Sequence, residues 1–301
     1  RDGADGVVVT VGSQEALYAS LMAILDPGDE ILIPDPGYPA YPTVARLVGA
    51  VPVTYPLRPD RGFRLDPADV LARVGPRTRA VLVCSPSNPT GAVHRASDLE
   101  ALGRGVERAG IAWISDEVYA GFCYDGDLPT LRQFAAGSGI TIGGVSKDAS
   151  MTGWRIGWAL GPREVVSKII AVHQHLVTCA STISQQAAVA ALSDQGQVAC
   201  RGLAERFARR RELMGRELAR IPQVRFEPPG GAFYFFPEVE GCLDSERLAL
   251  RILRDAGVVT IPGIAFGPGG EGRLRLSFAA ADDDIVRGVN AIGEVLARPQ
   301  D

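Results

Sequence analysis

Residues 143–158 read GGVSKDASMTGWRIGW and follow the apolar run Ile140-Thr141-Ile142. This pattern predicts a buried strand that opens into a glycine-rich loop, where α/β proteins place their chemistry. Only Lys147 and Lys168 among the 31 Lys and Arg residues are lysines, so arginine supplies the surface positive charge. A partly desolvated lysine can serve as an amine nucleophile, whereas an arginine cannot. Lys147 is therefore either a reactive amine or a solvated side chain paired with Asp148.

The composition is that of an ordinary globular chain. Its 301 residues are 46% hydrophobic, with a mean hydropathy of +0.08. A net charge of −4 and a pI near 5.5 argue against a nucleic-acid-binding surface. The five cysteines form no C-x-x-C pair and several lie in apolar runs, which predicts buried thiols in the reducing cytoplasm. No apolar run is long enough to span a membrane, and the three scattered histidines predict no metal site.

Two stretches in the first part of the chain predict ligand contacts. The apolar run 7–11 leads through a glycine turn into a helix that opens with Ser13 and Gln14. Free backbone N–H groups and the helix dipole make such an N-terminus an anion site. A proline-rich loop then carries Tyr38 and Tyr41 on a rigid backbone. These rings either face a ligand or pack the loop onto the domain.

Two polar residues follow apolar strands farther along the chain. The run 79–84 enters Ser85-Pro86-Ser87-Asn88-Pro89, whose two X-Pro bonds predict a locked turn with cis peptides. The run 111–115 ends at Asp116, where the edge of a buried strand meets ligands rather than neighbouring strands. Asp116 is therefore a candidate site residue, and Asn88 lies within the locked turn. The alternatives are a plain turn asparagine and a helix-capping or surface acid.

Ser146-Lys147, followed by the run 151–157, resembles the cofactor-lysine segment of the class I and II aminotransferases. These are fold type I enzymes that depend on pyridoxal 5′-phosphate (PLP). The resemblance implies that Lys147 forms an imine with the cofactor and that Arg155 and Ser146 bind its phosphate. One departure is Gly144, which stands where the family often has a second phosphate-contacting serine.

The remaining candidates follow one another in the order of the family's motifs. The resemblance assigns cofactor contacts to Ser13 and Gln14 in a phosphate cup, Tyr38 against the pyridine face, and Asn88 and Tyr119 at the phenolic O3′. It also implies that Asp116 keeps the pyridine nitrogen protonated, so that the ring can accept electrons. Arg275 is expected to bind the substrate α-carboxylate beside Asn88, whereas Arg273 is expected to be solvated.

The resemblance covers nearly the whole chain and implies an α/β, PLP fold type I architecture. A mostly parallel seven-stranded sheet flanked by helices is expected, together with a C-terminal α+β small domain. We expect a PLP-binding large domain over 1–218 and a small domain over 219–301, with a long helix from about Ala199 to Arg220. Short strands of the small domain are predicted at 232–236, 258–260 and 273–278. Family members usually carry a further segment before the first strand, so the N-terminal part of the small domain is expected to be missing.

The implied activity is amino-group transfer between an L-amino acid and a 2-oxo acid, in a cytoplasmic homodimer. Lys147 is expected to act as the general base at the substrate Cα. Two alternatives are left open. One is another PLP reaction on this fold, such as elimination, decarboxylation or oxidation. The other is an aminotransferase-like effector domain of a transcription regulator. We expect no nucleic-acid or membrane partner.

Overall fold

The computed structural model describes residues 6–137 and 139–298. The central sheet of the larger lobe contains β1 (Val7–Thr10), β2 (Glu30–Asp35), β3 (Val51–Pro56), β4 (Thr78–Cys84), β5 (Ala112–Asp116), β6 (Gly139–Gly144) and β7 (Gly157–Leu160). Their spatial order is β1-β7-β6-β5-β4-β2-β3. Every adjacent pair is parallel except the two that β7 makes with β1 and β6. The predicted mostly parallel, seven-stranded sheet is therefore confirmed.

Helices cover the sheet and continue into the second lobe. In chain order they are α1 (Ser13–Ile24), α2 (Ala40–Leu47), α3 (Pro67–Leu71), α4 (Ala96–Ala109), α5 (Arg163–Leu176), α6 (Thr182–Leu192), α7 (Asp194–Leu218), α8 (Ser245–Ala256) and α9 (Asp282–Leu296). The long helix α7 begins at Asp194 rather than near Ala199, because Ser193 caps it by accepting the Gly196 N–H at 3.2 Å. Within the described ranges, none of the helices combines the length and apolar character that a membrane crossing requires.

The central strands of the sheet are buried on both faces, and β4 illustrates why its sequence is continuously apolar. Successive side chains of a strand point to opposite faces. Ala80 and Leu82 join a core with α1, α2 and α5, whereas Val81 and Val83 join a second core with α3 and α4. A strand covered by helices on both sides has no polar face, as is usual in parallel sheets. The carboxyl edge of these strands borders the cavity described below.

The C-terminal lobe is built around small antiparallel sheets. Its strands are β8 (Val224–Arg225), β9 (Tyr234–Phe235), β10 (Glu238–Val239), β11 (Ile261–Pro262) and β12 (Leu274–Ser277). β12 lies between β11 and β9, and α8, α9 and the second half of α7 close the apolar core. The prediction of a strand at 258–260 was wrong. Pairing with β12 starts only at Ile261, and Val259 is 74% exposed, so the β-branched run has no partner strand.

Candidate active site

A cavity of about 420 Å³ opens where β4, β5 and β6 end, beside the N-terminus of α1. Parallel strands place their carboxyl ends at one edge of the sheet, so residues far apart in sequence meet there. All of the predicted site residues line this cavity: Ser13, Gln14, Tyr38, Asn88, Asp116, Tyr119, Ser146, Lys147, Arg155 and Arg275. Tyr41 and Tyr234 line it as well. The sequence left Tyr41 open between facing a ligand and packing the loop, and it assigned Tyr234 no role.

One end of the cavity is suited to an anion. α1 starts after Gly12 and has no side-chain N-cap hydrogen bond, so its first N–H groups are available. Gly12 has φ 77°, and a Cβ there would lie 2.4 Å from Nη2 of Arg155. Arg155 itself adopts a left-handed backbone with φ 55°, and its Nη1 donates to the carbonyl of Thr152 at 2.8 Å. Glycine thus lets the guanidinium approach the helix N-terminus, which places two sources of positive potential side by side.

Asp116 ends β5 and is 7% exposed. Its Oδ2 accepts a 2.8 Å hydrogen bond from the Tyr41 hydroxyl, and its Oδ1 accepts the Val118 N–H at 3.3 Å. Burial raises the pKa of Asp116, and this is opposed by the two hydrogen bonds and by the charge of Lys147. The alternative of a surface acid is therefore wrong. A buried carboxylate with few local donors is a suitable partner for a cationic ring nitrogen.

Lys147 follows β6 and its Nζ lies 5.9 Å from the ring centroids of both Tyr119 and Phe233. Burial lowers the pKa of Lys147, the guanidiniums of Arg155 and Arg275 lower it further, and Asp116 raises it. The amine is therefore easier to deprotonate than a solvated lysine.

The alternative of a surface pair between Lys147 and Asp148 is wrong. Oδ2 of Asp148 accepts the N–H of Gly121 at 3.1 Å, and no ion pair with Lys147 exists within the described residues. Asp148 instead joins the lysine loop to the turn that follows Tyr119.

The opposite end of the cavity is suited to a carboxylate. The two predicted cis bonds are present, and Asn88 between them is buried. Nη1 of Arg275 donates to Oδ1 of Asn88 at 3.0 Å, and its guanidinium lies 4.4 Å from the Tyr234 ring centroid and 5.0 Å from that of Phe266. Nε of Arg275 is buried and has no hydrogen-bond partner in the described part of the chain. An unpaired buried donor on a cation is suited to binding an anionic ligand.

Arg273 had been expected to be solvated, and this was wrong, because the residue is only 8% exposed. Its Nη2 donates to Oε2 of Glu238 at 2.8 Å, and its guanidinium lies 4.9 Å from the ring centroid of Phe63. Arg273 directly precedes β12 and Arg275 lies within it, so strand alternation alone predicts one face for both side chains. Their neighbours differ. Glu238 forms an ion pair with Arg273, whereas Arg275 faces the cavity.

Two tyrosine pairs complete the walls. Tyr38 is 37% exposed, and Tyr41 packs edge-on against it with ring centroids 5.5 Å apart. Tyr38 faces the cavity, whereas Tyr41 both lines the cavity and belongs to the core beneath the loop. On the far side, the hydroxyls of Tyr119 and Tyr234 lie 3.0 Å apart.

The mostly parallel sheet has a lysine and an acid at its carboxyl edge, and two arginines line the same cavity, which is the arrangement of an α/β enzyme. The profile of the family described as aminotransferase class I and II matches residues 1–292. The chain belongs to this family and is a PLP-dependent aminotransferase.

Named relatives support the same conclusion. The aspartate aminotransferase of Streptomyces avermitilis is 38% identical over 313 residues, which cover 99% of this chain and 76% of the relative. The aspartate/prephenate aminotransferase of Thermus thermophilus is 36% identical over 293 residues, covering 97% and 75%. Because these relatives transfer amino groups, neither another PLP reaction nor an effector-domain role is favoured.

Solved structures agree with the fold. The T. thermophilus aspartate aminotransferase with maleate superposes with a TM-score of 0.93 at 35% identity, covering 97% of this chain and 76% of that one. The aromatic aminotransferase of Pyrococcus horikoshii gives a TM-score of 0.93 at 33% identity, covering 97% and 79%. The chain thus spans about three quarters of the length of these proteins.

Proposed function

We propose that PLP binds in this cavity and that the protein moves an amino group between an L-amino acid and a 2-oxo acid. The observation that carries the proposal is the convergence of Lys147, Asp116, Arg155 and Arg275 on one cavity. The residues fit the cofactor, because the space left by Gly12 and the uncapped N-terminus of α1 suit its phosphate.

The proposed cofactor contacts follow the two ends of the cavity. At the anion end, the phosphate would be bound by Ser13, Gln14, Ser146 and Arg155. Along the ring, the contacts would be Tyr38 on its face, Asn88 and Tyr119 at O3′, and Asp116 at the nitrogen. When bound, PLP supplies a ring that accepts the electron pair released as the substrate Cα–H bond breaks. Asp116 supports this role by holding positive charge at the ring nitrogen.

Lys147 is proposed as both the attachment point and the proton carrier. Its pKa is lowered by burial and by two guanidiniums, so a neutral amine is available at lower pH than in water. A neutral Nζ can take the proton from the substrate Cα and deliver it elsewhere in the cavity. Arg275, aided by Asn88, would bind the α-carboxylate and thereby orient the Cα–H bond towards Lys147.

The assignment of Lys147 can be tested directly because the chain contains only one other lysine. Borohydride reduction of the PLP-loaded protein, followed by peptide mapping, is expected to place the adduct on Lys147. Lys168, which is exposed on α5, supplies the matched control. Lys168→Arg should keep the adduct and the activity, whereas Lys147→Arg should lose both. An adduct on Lys168 in the unmodified protein would reject the assignment.

The amino donor is best found with a panel. Aspartate, alanine, phenylalanine and tyrosine would each be offered with 2-oxoglutarate, and the keto-acid product and the cofactor absorbance followed. Amino-group transfer predicts stoichiometric conversion of the cofactor to its amine form with donor alone. Ammonia or carbon dioxide release without that conversion would contradict the proposal.

We also propose a homodimer in the cytoplasm. Exposed apolar side chains lie along α6 and at the start of α7, with Ile183 75% exposed and Val189 65% exposed. Apolar surface of this kind is typical of subunit interfaces. The five cysteines are free, which suits a reducing compartment. Sedimentation of the protein and of Ile183→Asp would test the interface, since a monomeric wild-type protein would refute it.

A further inference from the structure

Tyr234 is the one hydroxyl-bearing side chain in the apolar run 230–236. In the antiparallel pair of β9 and β12 it lies opposite Ser277, and therefore on the same face as Arg275 two residues earlier. Its ring centroid is 4.4 Å from Cζ of Arg275, and its hydroxyl is 3.0 Å from that of Tyr119. Tyr234 thus contacts both Arg275, which is proposed to bind the substrate carboxylate, and Tyr119, which is proposed to contact O3′.

The direction of the phenol–phenol hydrogen bond follows from the charges around it. Geometry alone allows either hydroxyl to donate. A cation lies near each ring, since Cζ of Arg275 is 4.4 Å from the Tyr234 centroid and Nζ of Lys147 is 5.9 Å from the Tyr119 centroid. The closer cation makes Tyr234 the more acidic phenol, and a more acidic phenol is the better donor. Burial raises the pKa of Tyr234, while the bond with Tyr119 and the Arg275 charge oppose this. For Tyr119, burial and Tyr234 both raise the pKa. These surroundings favour Tyr234 as the donor and Tyr119 as the acceptor.

We propose that Tyr234 is a positioning residue that donates to the Tyr119 oxygen, directs the Tyr119 O–H into the cavity, and supports Arg275 with its ring. The inference rests on the proposed function, in which Tyr119 contacts O3′ of the cofactor. A hydroxyl that accepts one hydrogen bond becomes a stronger donor in the next. Tyr234 would therefore strengthen the contact of Tyr119 with O3′ while its ring holds the guanidinium that binds the substrate.

The first test is an absorbance titration of the PLP-loaded protein. A hydrogen bond donated to O3′ stabilises its negative charge, so the Lys147 nitrogen bound to the cofactor loses its proton at lower pH. Tyr119→Phe should raise the midpoint of this titration by about 1–2 pH units. Tyr234→Phe should raise it in the same direction by about 0.3–0.6 unit, because the contact is weakened rather than removed. In the double variant, Tyr234→Phe should add nothing to Tyr119→Phe.

The second test separates the ring of Tyr234 from its hydroxyl. Tyr234→Phe keeps an aromatic face under Arg275, so KM for the amino acid should stay within about twofold. Tyr234→Leu removes the face, and KM should rise about threefold to tenfold with the cofactor retained. The matched control is Tyr124→Phe, since the Tyr124 hydroxyl donates to the Ala232 carbonyl and does not line the cavity. Its titration midpoint and KM should be unchanged.

The possible results distinguish a failure of the proposed O3′ contact from a failure of the role proposed for Tyr234. If Tyr119→Phe leaves the midpoint unchanged, the proposed O3′ contact is wrong and the inference is overturned with it. If Tyr119→Phe shifts the midpoint but Tyr234→Phe does not, only the role of Tyr234 is overturned. Additive shifts in the double variant would also overturn it. Melting temperatures of all variants, measured without PLP, identify any variant that loses the fold. Tyr234→Phe keeps the aromatic ring, so the titration of this variant tests the role of Tyr234 even if Tyr234→Leu does not fold.

Discussion

Replacing Asp148 with asparagine is expected to stabilise the protein at alkaline pH and to lose that effect in acid. Oδ2 of Asp148 accepts the Gly121 N–H, but Oδ1 is buried and has no partner in the described residues. A cavity of about 130 Å³ separates the carboxyl from α7, and Cys200 and Arg201 line its far wall. Burial raises the pKa of Asp148 to about 7, with the Gly121 hydrogen bond opposing it. Ionisation of this side chain in the folded protein is therefore unfavourable.

The sign and size of the effect follow from linkage. The folded pKa of Asp148 is about 7 and the unfolded value is 3.8, so the folded state binds the proton more tightly. Its stabilising contribution is therefore present in acid and is lost as the pH rises towards the folded pKa. Between about pH 5 and about pH 8.5, the wild-type protein should lose about 3 kcal/mol relative to Asp148→Asn, which cannot ionise. Below about pH 3 the difference should be independent of pH.

Urea denaturation of the PLP-loaded protein at several pH values measures this difference. Comparing variants at each pH cancels the titration of all other groups, provided that the two proteins share one fold. Asp60→Asn is the matched control, because Asp60 is exposed in a short turn. Its stability should follow that of the wild-type protein at every pH. Parallel curves for Asp148→Asn and the wild-type protein would refute the reasoning.

Three further substitutions test other contacts. Gly121→Ala places a Cβ 2.7 Å from Cγ of Asp148 and should cost about 1–3 kcal/mol in urea denaturation; no such cost should remain when Asp148 is also replaced by glycine. His173→Leu removes the 2.8 Å partner of the buried Glu15 carboxylate and should cost about 2–3 kcal/mol; a cost below about 0.5 kcal/mol would contradict it. Arg275→Leu should lower kcat/KM by the equivalent of about 2–5 kcal/mol with PLP still bound; unchanged kinetics, or loss of the cofactor, would show that Arg275 has another role.

Much of the fold could be predicted because its signals are local. The apolar strand ending at Cys84 and the glycine-rich loop around Lys147 each have a pattern that fixes their place at the sheet edge. Strand ends of a parallel sheet meet at one edge, so the residues that follow them could be placed in a single cavity. Their individual roles stay predictions, as does the division into 1–218 and 219–301.

The contacts that could not be predicted join distant parts of the chain. Tyr41 and Asp116 are 75 positions apart, and Tyr119 and Tyr234 are 115 apart. Periodicity identifies which face of an element is apolar, but it does not identify which hydroxyl meets which acid across two elements. Arg273 illustrates the same limit, because strand alternation gives it the same face as Arg275 and only the distant Glu238 sets it apart.

The helix α7 packs in two regions of the molecule at once. Near its start, Cys200 borders the cavity beside the lysine loop, while Phe207 and Leu218 belong to the core of the C-terminal lobe. Its 25 residues span about 37 Å. A tilt of about 5° at the first turn moves the far end by about 3 Å, roughly the length of a hydrogen bond. The helix therefore connects the packing beside the lysine loop to the core that contains β12, the strand that carries Arg275.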